Sequence, residues 1–295
     1  MKNPIHAVVL ACACTQAVAA ALPADAAERA CWLQHSADRT RVKLNEPKRV
    51  DFSNLANGFT VRSPFLVQFA VRGMGVVPAG KHVAKTGHHH ILIDTPLPLD
   101  PTLKIPFSDR YRHFGKGQTS TLLDLPPGPH TLRLLFADYE HRPYFVYSPE
   151  ITVHVQGQRT SARLAIDPRH PKSSCEAWYE DELTRPRPPG DLVSIDNLRD
   201  GESVTSPFNV RFGVEGRGVS AAGATVEHTG HFLLDILQDG QAMRSLDFSN
   251  GATQTNLSLA NGGYLLRLRF VDGRSRRDLL PASGTRIVVN GQERL

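Results

Sequence analysis

The side chains best suited to chemistry sit in one short run, Thr86-Gly87-His88-His89-His90-Ile91-Leu92-Ile93-Asp94. Imidazole is a nitrogen ligand that suits zinc or copper(II), so adjacent histidines at the head of an apolar run point first to a metal. In a strand, residues two apart share a face, which puts His88 and His90 on one side and His89 on the other. A His-x-His pair supplies two ligands, and more must come from elsewhere. Two candidates stand out: His113 in Tyr111-Arg112-His113-Phe114-Gly115-Lys116-Gly117-Gln118-Thr119, and His141 in Ala137-Asp138-Tyr139-Glu140-His141-Arg142-Pro143. The candidate set is therefore His88, His90, His113 and His141, around one zinc or copper ion.

A second, degraded copy acts as an internal control: Thr229-Gly230-His231-Phe232-Leu233-Leu234-Asp235. Aligning Gly87 with Gly230 pairs His88 with His231, and aligning Asp94 with Asp235 pairs His90 with His231. Both alignments give the same parity: His88 and His90 leave the core face for the solvent side, while His89 shares the core parity of Phe232, Leu234 and Ile236. Asp247 replaces His113, and Gly273-Arg274-Ser275 after Asp272 supplies no counterpart of His141. Three histidine segments are downgraded together, as expected of one site that the second copy has lost.

Blander readings compete. A histidine kept in both copies can simply hydrogen-bond a loop, and the same rings could line a polar ligand pocket. His130, replaced by Tyr264, reads as packing with a polar tip. His82 and His154 belong to no constellation. Asp94 and Asp138, set against Asp235 and Asp272, suit turns or caps. Metal-assisted hydrolysis would need a base, and Glu140 is the one nearby carboxylate without a clear counterpart. Met74, opposite Arg217, offers a lone soft ligand for copper(I). Gly115-Lys116-Gly117-Gln118-Thr119 lacks the context of a phosphate loop, and no serine or cysteine sits in a nucleophile elbow.

The elements that position these residues follow from the duplication. Asn54-Leu55-Ala56-Asn57-Gly58 through Ser63-Pro64-Phe65 recurs as Asn197-Leu198-Arg199-Asp200-Gly201 through Ser206-Pro207-Phe208, and Val67, Phe69 and Val71 recur as Val210, Phe212 and Val214. Phe65, Val67, Phe69 and Val71 alternate with Leu66, Gln68 and Ala70, the period of a strand with one buried face. Further strands are expected through His90–Asp94, Thr121–Leu125, Thr131–Phe136 and Ile151–Val155. About seven short strands per repeat predict an all-β fold of two tandem immunoglobulin-like β-sandwich domains. The expected division is a leader over 1–19, an N-terminal segment over 20–49, a His-rich sandwich over 50–156, a linker over 157–191 and a diverged sandwich over 192–295. Ser173 and Glu176, at capping-box spacing, predict a short linker helix running to Leu183, stopped by Arg185-Pro186-Arg187-Pro188-Pro189-Gly190.

The leader reads as a signal peptide: Lys2, the apolar Ala7-Val8-Val9-Leu10-Ala11, and Ala17-Val18-Ala19 before the expected cleavage. A lipoprotein attachment at Cys12 is the alternative. Cys12 and Cys14 lie in the leader, so Cys31 and Cys175 are left to form one disulfide in an oxidising compartment, periplasmic or extracellular. No later segment is long and apolar enough for a membrane span. The 295 residues carry a net charge of +5, but the basic residues are scattered. Arg39, Arg41, Lys43, Lys48 and Arg49 form the only loose run, without the aromatic platform of a nucleic-acid binder.

Gly87-His88-His89-His90-Ile91-Leu92-Ile93-Asp94, His113-Phe114-Gly115-Lys116-Gly117-Gln118-Thr119, Pro127-Gly128-Pro129-His130-Thr131-Leu132, and Ala137-Asp138 followed by His141 and Pro143 resemble the secreted bacterial family known as domain of unknown function 4399. The resemblance covers roughly Val50 to Val155, and the second copy departs from it at the positions of His89, His113, Lys116 and His141. It implies a small exported domain and brings no established activity. The sequence is thus read as an exported, non-enzymatic binding protein whose first domain takes a divalent transition metal, zinc or copper. The alternative is an envelope structural or interaction module that binds a polymer or protein partner through the same face.

Overall fold

A computed structural model of the chain describes residues 17–18, 20–42 and 48–292. The expected leader, with Cys12 and Cys14, lies outside the described residues except for Ala17–Val18, as does Lys43. The chain is nearly all β and forms two similar units. In the first, the larger sheet runs in the order Thr60–Ser63, Ile151–Gln158, Gly128–Ala137, Thr86–Ile93, Gly75–Val76, with Tyr111–Phe114 added beside Thr86–Ile93. A three-stranded sheet of Arg49–Phe52, Phe65–Arg72 and Ser120–Leu123 faces it. The second unit repeats the plan, with Thr229–Gln238 in the place of Thr86–Ile93 and Phe208–Glu215 in that of Phe65–Arg72.

Apolar side chains on the inner faces of both units merge into one core. It holds Phe65, Phe69, Ile91, Leu134 and Phe136 beside Phe208, Phe212, Phe232, Leu234 and Phe270. The strand Phe65–Arg72 differs from its expected pattern, because Leu66, Gln68 and Ala70 on its outer face are also buried. The Leu66 N–H donates to the Thr184 carbonyl (2.8 Å), and Gln68 Nε2 donates to Asp196 Oδ2 of the second repeat (2.7 Å). An outer face read as solvated is a contact between repeats.

That contact is close to two-fold. The Val76 N–H donates to the Gly251 carbonyl (2.8 Å), and at the equivalent place the Val219 N–H donates to the Gly117 carbonyl (2.8 Å). The Ala221 N–H also donates to Val76 (3.1 Å), a bond whose mate is missing because Pro78, at the position of Ala221, has no N–H. Glycine is needed where the backbones cross: a Cβ on Gly75 would stand 1.8 Å from the Asn250 carbonyl oxygen, and one on Gly218 1.8 Å from that of Lys116.

Three helices flank the sandwiches. Helix α1 (Ala26–Gln34) starts at Asp25, whose carboxylate accepts the N–H groups of Ala27 and Glu28, both at 2.9 Å. It is followed by α2 (Ser36–Thr40) and, between the repeats, α3 (Pro171–Leu183). Helix α3 ends where the sequence predicts but begins two residues before Ser173: proline occupies the first turn, His170 precedes it, and no side chain caps it. Proline is pre-shaped for that position, so the expected capping box of Ser173 and Glu176 lies inside the helix instead. Cys31 and Cys175 join α1 to α3, with Cα atoms 5.7 Å apart. Trp32, Trp178 and Tyr179 pack around them in a small separate core. Glu202 of the second repeat, fully buried, accepts Trp32 Nε1 (3.0 Å) and Ser36 Oγ (2.6 Å) and pairs with Arg39. A cross-link of this kind persists in an oxidising compartment. Among the described residues no helix is long and apolar enough to cross a membrane.

Candidate metal centre

Strand register brings the histidines together. Thr86–Ile93 pairs with Tyr111–Phe114 so that His90 lies directly opposite His113, and opposed residues present their side chains on the same face. On its other side the strand pairs with Gly128–Ala137, which sets His88 opposite Ala137. The chain then turns through Asp138–Arg142. There Asp138 Oδ1 accepts the N–H groups of Glu140 and Arg142 (both 2.8 Å), the turn role expected of Asp138. The turn returns His141, at φ 70°, over His88.

Three of the four expected ligands, His88, His113 and His141, converge, and His90 adjoins the first two, its ring centroid 4.9 Å from that of His113 but 6.3 Å from that of His141. The ring centroids of His88 lie 5.0 Å from His90, 4.9 Å from His113 and 5.0 Å from His141, and those of His113 and His141 are 4.8 Å apart. His88 and His90 face each other through Nε2 atoms 3.1 Å apart. Two nitrogens bound to one tetrahedral zinc at about 2.0 Å stand roughly 3.3 Å apart, so this pair fits a shared ion with little movement. One nitrogen from each of His88, His113 and His141 lies within 4.8 Å of the others, a wider spacing that the outer two rings would have to close. Burial, then the neighbouring imidazoles, push His88 down to about 3 and His90 to about 2; burial and His141 push His113 to about 4. All three are neutral at pH 7, the state in which a ring nitrogen can donate to a metal.

The solvent-side placement expected for His88 and His90 is wrong: both are 0% exposed. The segment after Asp94 folds back over the outer face of the sheet, where Ile105 joins Leu92, Leu135 and Ala137 in a small outer core. The Ile105 N–H donates to the His141 carbonyl (2.8 Å), tying this cover to the site. Phe107 sets its ring edge-on to both His113 and His141, at 4.9 and 5.1 Å. Phe107 gives no signal in the sequence, and Gly115, weighed there only in a phosphate-loop comparison and a family motif, has another role. A Cβ there would stand 2.1 Å from His113 Cε1, so the glycine makes room for the imidazole. The signal was present in Ser249, which occupies that place where the ring is replaced by the smaller Asp247.

His89 is no ligand. It points into the core, 5.1 Å from Phe69 and 5.0 Å from Phe136. Phe232 does the same in the second repeat, at 5.3 Å from Phe212 and 5.2 Å from Phe270. Burial holds its pKa down to about 3, against a weak pull upward from the Gln118 backbone, which neither ring nitrogen meets in good hydrogen-bond geometry.

The structure resolves the two alignments in favour of the glycines. His88 lies opposite Ala137 as His231 lies opposite Val271, so His231 is the partner of His88 and Leu233 that of His90. Asp94 and Asp235 are therefore not counterparts. Asp94 accepts His130 Nδ1 and the Thr131 N–H (both 2.8 Å), whereas Asp235 holds Arg267 and Ser245. His130 and Tyr264 both tie a ring tip to a carbonyl, of Pro126 (2.9 Å) and Ala260 (3.0 Å). Met74 lies in the merged core, Glu140 pairs with Arg142, and the backbone of Gly117 is engaged by Val219. Cys31, Cys175 and His35 also lie close together, but both sulfurs are taken up in the disulfide.

Paired sandwiches with a histidine cluster on the outer face of one sheet define a two-repeat all-β protein. The chain belongs to the family described as Domain of unknown function (DUF4399), whose profile matches residues 67–156 and 210–290. The second repeat is thus a recognisable member too, more than the first-repeat resemblance implied. No curated protein matches the chain in sequence. Similar solved structures include the fibronectin(III)-like modules of Clostridium thermocellum CbhA (10% identity, 82% of this chain and 94% of that one, TM-score 0.23). A two-domain fibronectin type III segment of chicken tenascin has 10% identity over 83% of this chain and 100% of that one, with TM-score 0.22. Latent PorU of Porphyromonas gingivalis has 12% identity over 85% of this chain and 21% of that one, with TM-score 0.28.

Proposed function

We propose that the first repeat binds one divalent transition metal ion, zinc or copper, through His88, His90, His113 and His141, and that the protein is an exported, non-enzymatic binding module. The observation that carries this reading is what the second repeat keeps at the same place. His231, Asp247 and Arg276 stand there, with Asp247 Oδ2 2.8 Å from Arg276 and Asp247 Oδ1 3.1 Å from His231. The second repeat fills the position with a fixed cation and its counter-charge. The first repeat converges imidazoles on it, with the Nε2 atoms of His88 and His90 3.1 Å apart. The buried His113 Nε2 has no protein partner, and a buried polar atom is normally satisfied, which favours a ligand there.

Metal analysis after exposure to zinc and to copper, followed by desalting, tests the reading. About one ion per chain is expected for the wild type, and none in the double variant His90→Ala, His113→Ala. Wild-type protein that retains neither metal overturns it.

A second reading draws on the cover of the site. Leu99, Leu103 and Phe107 are 88%, 63% and 60% exposed, an apolar group on one surface segment. It suits a face that contacts an envelope polymer or protein partner, and partner binding that persists in chelator would favour this reading over the metal.

A further inference from the structure

We infer that the ion taken by this site is copper, held as copper(I); the inference rests on the metal reading above and narrows it. The first ground is charge. Among the described residues, the histidines that pair with carboxylates are His130, His170 and His231, and none of the four site rings is among them. An ion between those four rings has no counter-charge. The cost of burying an ion rises with the square of its charge, so a singly charged ion costs about a quarter of what a doubly charged one does.

The second ground is the comparison between repeats. Where the second repeat keeps a carboxylate, Asp247, it also keeps a single positive charge, Arg276, 2.8 Å away. The first repeat has His113 where the second has that carboxylate, a difference that removes the counter-charge and adds a neutral ligand together.

The third ground is the cover. His88 and His90 are fully buried, Ile105 is buried beside them, and Phe107 lies edge-on to the two outer rings. Zinc and copper(II) in a neutral ligand set call on an anion to offset their charge, and the buried inner pair His88 and His90, under Ile105, has none beside it. Copper(I) is satisfied by a few neutral nitrogens. A hydrophobic shell around copper favours the reduced ion and raises its potential.

The test uses the full chain. Copper(I) is titrated without oxygen against the chromophoric chelator bicinchoninate, and copper(II) and zinc are titrated separately. The expected result is about one copper(I) per chain, bound roughly a thousandfold more tightly than copper(II). At 59 mV per tenfold, that places the bound couple about 180 mV above aqueous copper. Zinc or copper(II) binding as tightly as copper(I) overturns the inference and leaves the metal reading standing, whereas no binding of any of the three ions overturns the metal reading itself. His113→Asp, a residue the second repeat accommodates at this place, should shift the preference toward zinc at least tenfold. Phe107→Ser, on the exposed cover, should lower the potential while leaving the fold intact. An unchanged ion preference in the first variant, or an unchanged potential in the second, also counts against the inference.

Discussion

Arg276 occupies in the second repeat the place of His141 in the first. Each has a left-handed backbone, φ 56° and 70°, and each sends its N–H back to the turn aspartate, Arg276 to Asp272 and His141 to Asp138, both at 3.0 Å. A turn one residue longer in the second copy therefore delivers a guanidinium where the first delivers an imidazole.

That equivalence makes the lost site rebuildable. Leu233→His, Asp247→His, Ser249→Gly and Arg276→His together should give the second repeat a site like the first. Metal content should rise from about one to about two ions per chain, and leaving Ser249 unchanged should hold it near the lower value.

Gly115→Ala tests the packing behind His113. Its methyl group would fall 2.1 Å from Cε1 and 2.4 Å from Nε2 of the ring, so the imidazole must swing away. Metal affinity should fall by about tenfold or more, as expected when a residue that orients a ligand is disturbed. The unfolding transition of the metal-free protein should move little.

His89→Phe should stabilise the protein. The wild-type ring is buried among Phe69 and Phe136, its polar neighbour the Gln118 backbone, and a buried nitrogen left without a good partner costs about 1–3 kcal/mol. Phe232 shows that phenylalanine fits the equivalent niche. Denaturant unfolding of the metal-free variant should show a higher midpoint, and metal content should be unchanged.

The Asp94–His130 pair gives a pH signature away from the site. Despite partial burial, the hydrogen bonds to Asp94 and Pro126 raise His130 above 6.5, while the bonds from His130 and Thr131 lower Asp94 below 3.8. The His130 contribution is complete below 6.5 and fades as pH rises through its raised folded value. The Asp94 contribution is present above 3.8 and fades as pH falls through its lowered one. An NMR titration should therefore find His130 above 6.5, and Asp94→Asn should bring it back down.

Much of this molecule is legible from residue patterns. Alternation in Phe65–Val71 gives the strand, the match to Phe208–Val214 gives the duplication, and the joint loss of His113 and His141 picks out rings that lie side by side. Depth was not legible. The parity of His88 and His90 says which side of the sheet they leave, but the burial of that side depends on Ile105 and Phe107, in a segment with no regular period. The outer face of Phe65–Arg72 misleads for a similar reason: Gln68 is polar because it meets Asp196 across the repeat contact, not because it meets water. Alignment by Asp94 and Asp235 fails because Asp94 follows the end of its strand whereas Asp235 lies within the longer strand Thr229–Gln238, paired with Arg267, while Gly87 and Gly230 are fixed by sterics. A Cβ at either would stand 2.3 or 2.4 Å from a neighbouring carbonyl oxygen.

The contact in which Val76 meets Gly251 and Val219 meets Gly117 makes each repeat the other's permanent partner. Separate copies would find each other only when concentrated, and any mutation would appear in both. Joined through Arg185–Gly190, the halves face each other at an effective concentration on the order of millimolar, however dilute the protein is. The same linkage lets one half drift while the other is held. His113 can be kept on one side while Asp247 replaces it on the other, an asymmetry that a pair of identical chains cannot evolve.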